Sequence, residues 1–203
     1  MKAIMLSIQP KWCELITSGK KTVEVRKTRP KIETPFKVYI YCTKQKVNGE
    51  ILLTYDKKVE GRNRGFRDNG DILLAGKVIG EFVCDYIGTV DWTSNPNKKD
   101  WKDWFNEETC LTDRETYEYT KGDKFYEWHI SDLVIYDKPK ELEEFRKLCK
   151  YRNTDGSCQY RKIECDCVKF DFNPDYSVNI AECMDYMYRP PQSWCYVEEI
   201  KEC

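Results

Sequence analysis

In the run KTVEVRK (residues 21–27), polar and apolar side chains alternate from Thr22 to Arg26. In a β-strand, such alternation sends two valines to one face and three polar residues, Thr22, Glu24 and Arg26, to the other. Gly19, just before the run, is typical of the residue that follows the end of a helix. We therefore predict that a helix stops near Gly19 and that the next strand has one apolar face and one charged, wet face.

Further short segments rich in β-branched and aromatic residues predict more strands along the chain. They are AIMLSI (3–8), KVYIYCT (37–43), KVIGEFVCDYIGTV (77–90), KFYEWHISDLVIYD (124–137) and the closing segment PPQSWCYVEEI (190–200). Between two of them, residues 59–71 form a basic loop rich in Gly and Asn, which is either a solvated face or a flap over a nucleic-acid backbone.

Helical patterns are fewer and shorter than the strands. Pro10 opens one helix, which runs to about Ser18, and two more are expected within residues 98–121. Thr112 and Glu115 have the spacing of a capping box at the start of the second of these. A last short helix is expected after Pro139. Mixed strands with a few short helices in 203 residues predict an α+β fold built on a small, partly open β-barrel.

Charge and the N-terminal sequence restrict the class of protein. The chain has 34 Lys and Arg against 35 Asp and Glu, for a net charge of -1, so any contact with nucleic acid must use a local basic patch. The opening apolar run is broken by Gln9 and Pro10, and it is too short for a signal peptide or a spanning helix. We therefore expect a cytoplasmic protein that does not associate with membranes.

Gly19, Lys21, Glu24 and Arg26 together form the pattern GxKxxExR. It places two cations and one carboxylate at a common cleft, where Lys21 and Arg26 could bind phosphate while Glu24 orients the arginine or accepts from a base amino group. The alternative is that a helix stop followed by an amphipathic strand produces the same spacing without any function. If the site binds an anionic ligand, replacing either cation with alanine is expected to weaken binding without unfolding the protein.

The run LSIQPKWCELITSGKKTVEVRK (6–27) resembles the opening of the ASCH domain family, and RPPQSWCYVEEI (189–200) resembles the closing strand of its phage- and prophage-borne members. The resemblance covers residues 1–148 and 188–200. It implies a PUA-like fold, a small mixed β-barrel with short flanking helices. It also implies that RNA or a modified nucleotide or nucleoside binds in a cleft floored by the GxKxxExR strand.

Some bacterial relatives in this family hydrolyse the acetyl amide of acetylated cytidine with a Lys, a Thr and a distant Glu. The Lys corresponds to Lys21, but the Thr corresponds to Glu24, and Thr22 is displaced by two positions. Glu81 matches the distant Glu only by approximate location. The resemblance therefore makes Lys21, Glu24 and Thr22 the candidate catalytic residues of a nucleoside amidohydrolase or ribonuclease, with Glu24 as a departure from the family's catalytic set.

Five of the eleven cysteines fall within one short, turn-rich stretch that has few aliphatic residues: Cys149, Cys158, Cys165, Cys167 and Cys183. Without a disulfide-forming compartment, such a stretch needs another source of stability, and four thiolates can hold a structural Zn²⁺. Buried free thiols or a redox pair are the alternatives. We predict a zinc-binding insert at 149–183 in a barrel formed by 1–148 and 184–203, with either Cys165 or Cys167 as the spare residue.

Two residues near the C-terminus complete the predicted site. Trp194 follows Gln192 in a turn that enters the last strand, so its ring could stack on a base while the amide of Gln192 reads the base edge.

His129, the only histidine, lies in an apolar strand and is expected to be structural. Three functions remain open: an RNA- or modified-nucleotide-binding module, a hydrolase acting on a modified nucleoside or RNA, and a phage or prophage protein that docks a host partner.

Overall fold

The computed structural model describes residues 2–47, 50–52, 74–91, 99–148, 168–172, 178–183 and 186–200. The strands in these ranges are β1 (Lys2–Ile8), β2 (Val23–Arg26), β3 (Phe36–Cys42), β4 (Gln45–Val47), β5 (Glu50–Leu52), β6 (Val78–Cys84), β7 (Ile87–Val90), β8 (Phe125–His129), β9 (Ser131–Lys140), β10 (Val168–Phe172), β11 (Val178–Cys183) and β12 (Trp194–Glu198). The helices are α1 (Pro10–Thr17), α2 (Lys99–Thr109), α3 (Asp113–Thr120) and one 3-10 turn, Leu142–Glu144.

Two sheets form the body of the domain. The larger has the strand order β12-β1-β3-β6-β9, in which only β1 and β3 run parallel, and the smaller is the antiparallel sheet β2-β8-β7. Two antiparallel pairs, β4-β5 and β10-β11, form separate two-stranded sheets. This arrangement of mixed strands and short helices confirms the predicted α+β class.

The main core fills the space between the two sheets. Ile4 and Leu6 of β1, Phe82 of β6 and Trp128 of β8 are almost fully buried there, and Ile16 of α1 closes one end. The opposite face of β1 is also covered, because Ala3 and Met5 pack beneath Leu142, Phe145 and Met187. A strand buried on both faces has no polar alternation, which explains the continuous apolar run at residues 3–8.

A separate apolar cluster fixes α2 and α3 to the outer face of the smaller sheet. Phe105 of α2 packs against Val25 of β2, Phe125 of β8 and Leu111, which lies between the two helices. The expected pair of helices within 98–121 is confirmed. The capping box is present as well, with Thr112 and Glu115 each accepting from the other's backbone N–H.

Three local predictions were wrong in extent. The segments 77–90 and 124–137 are not single strands: each divides into two strands that belong to different sheets, β6 with β7 and β8 with β9. Such a change of sheet closes a barrel-like core, and a pattern of apolar residues does not reveal it. The helix expected after Pro139 is only the 3-10 turn Leu142–Glu144.

The segment predicted as an insert begins and ends at neighbouring positions of the body. Arg146 forms an isolated β-bridge with Tyr186, and Lys147 forms one with Val197. Between these positions the structure describes the hairpin of β10 and β11. The predicted basic loop at 59–71 lies outside the described residues. In the part of the chain that the structure describes, no helix has the length and apolar character needed to span a membrane.

Candidate functional site

A pocket of about 420 Å³ opens between α1, β2, α3 and the segment that leads into β12. Its charged lining residues are Lys21, Glu24, Arg26 and Glu115. The apolar and aromatic part of the wall comes from Trp12, Leu111 and Tyr119. The uncharged polar part comes from Ser7, Gln9, Thr43, Gln192 and Ser193. We refer to this cavity as the pocket.

Strand β2 brings Glu24 and Arg26 into the pocket side by side. Arg26 Nη2 lies 2.8 Å from Glu24 Oε1, and Lys21 Nζ lies 3.3 Å from Glu24 Oε2. The prediction that this face of β2 is exposed to water is wrong, because Glu24 is 6% exposed and Arg26 8% exposed. The strand is covered on both faces, so its charges are held by partners rather than by bulk water.

Lys21 is the most deeply buried of the three charged groups, at 2% exposure. Its ammonium donates to the carbonyl of Val23 at 2.8 Å and to that of Thr109 at 2.7 Å, in addition to its contact with Glu24. Burial lowers the pKa of the Lys21 ammonium, and the nearby carboxylate of Glu24 opposes this effect. An ammonium has three donors, and these three acceptors use all of them.

The hydrogen-bond donors of Arg26 are only partly used within the protein. Its Nη2 donates to the Ser7 carbonyl at 2.9 Å and is ion-paired with Glu24, and its Nη1 makes a long contact of 3.4 Å to Ser193 Oγ. The buried Nε has no hydrogen-bond partner among the described residues. Of the two Nη nitrogens, Nη1 has the longer and therefore weaker contact within the protein.

Helix α3 forms one wall of the pocket through residues one turn apart. Glu115 accepts from Lys11 Nζ of α1 at 2.8 Å, a bond that joins α1 to α3 and lowers the pKa of Glu115 to about 2. Tyr119, four residues later, stands near the Arg26 side chain and the Lys27 backbone. Burial is the main cause of its raised pKa. The i, i+4 spacing places both side chains on the same face of the helix.

The segment before β12 closes the other side. Ser7 N donates to the Ser193 carbonyl at 2.9 Å, and Ser7 Oγ donates to the Pro191 carbonyl at 2.7 Å. These bonds hold Gln192 at the exposed rim of the pocket. Of the two C-terminal residues predicted to contact a ligand, the structure therefore brings Gln192 to the charged trio.

Trp194, the other residue, does not line the pocket. Its indole Nε1 donates to Thr28 Oγ1 at 2.9 Å, and its ring packs 6.0 Å from Trp128 and 5.5 Å from Tyr196 between centroids. The ring of Trp194 is thus half-buried against these aromatic neighbours, and its stacking on a base stays a prediction. Alternation along β12 turns its ring to the interior.

The tentative catalytic set is not assembled. The hydroxyl of Thr22 donates to the Glu108 carboxylate of α2, and Thr22 is absent from the pocket lining. Glu81 pairs with Lys37 at 2.7 Å and with Tyr136, and it too is absent from the pocket lining. Of the three tentative catalytic residues, only Lys21 and Glu24 share the pocket.

The remaining predicted residues lie elsewhere. His129 is paired with Asp85 at 2.7 Å and does not line the pocket. Within the described ranges, no group of three or more His, Cys, Asp or Glu could hold a metal ion. Four cysteines of the predicted zinc site, Cys149, Cys158, Cys165 and Cys167, lie outside those ranges, and Cys183 ends β11.

Sequence reasoning missed most of the pocket wall. Local patterns indicate only a helix cap for Glu115 and no place in the site for Trp12, Ser7 or Tyr119. The capping box did give one useful indication, since it fixes where α3 starts and hence that Glu115 and Tyr119 share a face. Nothing local to Ser7 indicates that it meets a segment 184 residues away.

The two sheets, the outer helices and this polar pocket define a small α+β domain. A model of the ASCH domain matches residues 6–151, more than half of the chain, and the protein therefore belongs to the ASCH domain family. The matched range does not include the closing segment 188–200, where a resemblance was also expected.

Solved structures of ASCH from Zymomonas mobilis are similar to this chain. The unmutated protein is 19% identical, covering 97% of this chain and 88% of that chain, with a TM-score of 0.47. Two mutant forms are each 20% identical: one covers 71% of this chain and 78% of that chain with a TM-score of 0.47, the other 70% and 75% with a TM-score of 0.46. No match was found among curated proteins. None of these findings supports the expected phage or prophage origin.

Proposed function

We propose that the protein binds RNA or a modified nucleotide or nucleoside, with the base in the pocket. The observation that carries this proposal is that Arg26 and the carboxylate of Glu24 line the pocket side by side, with Arg26 Nη1 in a long contact of 3.4 Å to Ser193 Oγ that a ligand acceptor can replace. A donor next to an acceptor matches the edge of a nucleobase, which presents carbonyl or ring nitrogen acceptors next to amino or imino donors.

The charge of the pocket favours a base over a phosphate. Two cationic and two anionic side chains line it, and the Lys21 ammonium has already used its three donors within the protein. A phosphate would meet the two carboxylates without a free lysine to neutralise it. This arrangement favours a base in the pocket, with the phosphate of a nucleotide ligand at the rim, over the alternative that Lys21 and Arg26 bind phosphate together.

The walls suit a flat ring. Trp12 and Tyr119 line the pocket from different helices, and aromatic faces stack on bases with a gain of about 1–3 kcal/mol each. A volume of about 420 Å³ is within the range of small-ligand sites. The exposed amides of Gln9 and Gln192 stand at the rim, where they can meet a ribose or the outer edge of the base.

Binding is better supported than hydrolysis. An amidohydrolase of this kind needs a nucleophile or an activated water beside a free base, whereas Thr22 is bonded to Glu108 and the ammonium of Lys21 is fully engaged. Docking of a protein partner has no observation in the described residues to favour it.

Calorimetric titration of the purified protein with the four common ribonucleosides, acetylated cytidine, a short single-stranded RNA and inorganic phosphate tests the proposal. Saturable binding of a nucleoside or the RNA, without binding of phosphate alone, is the expected result, and Glu24→Gln should weaken it. Chromatography of the same mixtures reports any product. Binding of phosphate alone would refute base recognition, and turnover of acetylated cytidine would favour the hydrolase.

A further inference from the structure

The C-terminal end of α2 meets the residues that lead into β2. Thr109, the last residue of this helix, is fully buried, and its carbonyl accepts from Lys21 Nζ. The preceding carbonyl, of Glu108, accepts from the backbone N–H of Thr22. The last carbonyls of a helix have no partner within the helix, so these two bonds complete the end of α2.

Lys21 also supplies charge that α2 itself lacks. The last turn of the helix contains no basic residue. A cation at this end interacts favourably with the helix dipole, and Lys21 supplies it from a position 88 residues earlier in the sequence. The following residue, Cys110, has φ 54°, so the helix cannot continue past Thr109.

The same ammonium holds one side of the Glu24 carboxylate. Lys21 Nζ contacts Oε2 at 3.3 Å while Arg26 contacts Oε1 at 2.8 Å, so each oxygen of Glu24 has its own cation. The carboxylate is thereby fixed in the pocket, and each oxygen keeps a further lone pair for a ligand donor. With its donors spent on Val23, Thr109 and Glu24, Lys21 has none to offer to a ligand.

We propose that Lys21 is a positioning residue: its ammonium caps α2, orients Glu24 in the pocket and makes no direct bond to the ligand. The capping part of this inference is independent of the proposed function, whereas the orienting part rests on it. Lys21 thus connects the end of α2, the helix that precedes α3, to the carboxylate of Glu24 in the pocket. This role differs from that of the catalytic lysine that the family resemblance implies.

Hydrogen exchange measures the cap without any ligand. Lys21→Met keeps the length of the side chain and removes all three donors, and the exposed neighbour Lys20→Met is the matched control. In K21M we expect the amides in the last turn of α2 to exchange on the order of tenfold faster than in the wild type, with no change in K20M. Equal protection in both variants would overturn the capping role.

A double-mutant cycle on binding separates orientation of Glu24 from direct contact. The probe is whichever common ribonucleoside the wild type binds most tightly, and the proteins are the wild type, K21M, E24Q and K21M/E24Q. K21M should lower affinity on the order of tenfold when Glu24 is present and less than about twofold in the E24Q background. A loss of the same size in both backgrounds would show that Lys21 acts independently of Glu24 and would overturn the inference.

Two further outcomes remain decisive. If K21M does not fold, Lys21→Gln, which keeps an amide donor, replaces it in both experiments. The same changes in exchange rate and affinity are then expected, with smaller magnitudes. If the wild type binds no nucleoside and no RNA, the proposed function fails, and hydrogen exchange still decides whether Lys21 caps α2.

Discussion

Arg26 Nη2 lies 2.8 Å from Glu24 Oε1 in an ion pair, and both side chains are more than nine-tenths buried. This pair belongs to the folded core as much as to the pocket. The expectation that charged residues of the GxKxxExR pattern could be removed without affecting stability assumed that they were exposed, and their burial shows that this assumption was wrong.

Arg26→Ala should therefore destabilise the protein as well as weaken ligand binding. It leaves the Glu24 carboxylate buried with one cation fewer, and breaking a buried ion pair costs about 3–5 kcal/mol. Urea unfolding followed by circular dichroism measures the loss. The exposed Arg29→Ala is the control and should change the free energy of unfolding by less than about 0.5 kcal/mol. Equal stability of the two variants would contradict the burial of the pair.

The contrast between local and distant contacts explains how much of this site the sequence predicts. Alternation in residues 21–27 predicts correctly that Glu24 and Arg26 lie together, and Thr112 with Glu115 predicts the start of α3. Alternation does not tell whether another element covers the face. The cover comes from α3 and from Ser193, which is 167 residues from Arg26, so neither burial nor the pocket wall has a local pattern.

The same limit applies to the sheets. A run such as 77–90 has the composition of a strand throughout, and composition predicts its β character correctly. The point where the chain crosses from the larger sheet to the smaller depends on which strands pair, and β6 pairs with β3 and β9 while β7 pairs with β8. Those partners lie far away in the sequence, so the division is visible only in the folded structure.

Stability should depend on pH through Glu127 of β8. Burial raises its pKa from the usual 4.5 to about 7, and its Oε1 has no hydrogen-bond partner among the described residues. Between these values the folded chain holds the proton while the unfolded chain has lost it, so the free energy of unfolding falls as pH rises from about 4.5 and levels off above about 7.

Glu127→Gln removes this dependence because the amide does not ionise. The variant should exceed the wild type by at most about 2 kcal/mol near pH ~8, after allowance for partial solvent exposure of the carboxyl, and by little near pH ~4. Thermal unfolding of both proteins across this range measures the difference. A constant difference at all pH values would contradict ionisation as the cause.

Thr112→Ala should weaken the start of α3 and, through it, the pocket wall. Thr112 Oγ1 accepts from the backbone N–H of Glu115 at 3.2 Å, and loss of such a cap costs about 1 kcal/mol, or roughly 2–4 °C in Tm for a chain of this size. Arg114→Ala, on the same helix with its side chain 87% exposed, is the control and should leave Tm nearly unchanged. An equal Tm shift in both variants would exclude the cap as the cause.

Tyr119 and Trp194 should respond differently in ligand binding. Tyr119 lines the pocket, and Tyr119→Ala removes an aromatic wall, which should lower affinity for the bound nucleoside on the order of tenfold. Trp194→Phe loses the bond to Thr28 and should cost stability while affinity changes less than about twofold. Calorimetric titration measures both. A larger loss of affinity in the Trp194 variant would restore the stacking role predicted from the sequence.

The purified protein should carry about one zinc ion per chain, held by four of Cys149, Cys158, Cys165, Cys167 and Cys183. Two described features agree with a compact unit in this segment. Arg146 and Tyr186 are bridged at its ends, and Val168, which directly follows Cys167, is paired in register with Cys183.

A bound metal would supply folding energy that so few aliphatic residues cannot, in a closed tetrahedral thiolate site with no catalytic position. Elemental analysis of untagged protein, prepared with reductant and without chelator, measures the content. Cys183→Ser should reduce the zinc, because Cys183 is a predicted ligand whichever of Cys165 and Cys167 is spare. Cys195→Ser, a free cysteine outside the cluster, should leave the zinc unchanged. Absence of zinc from the wild type would replace the metal site with a group of thiols or disulfides, because the same cysteines could then stabilise the segment only by packing or by covalent bonds.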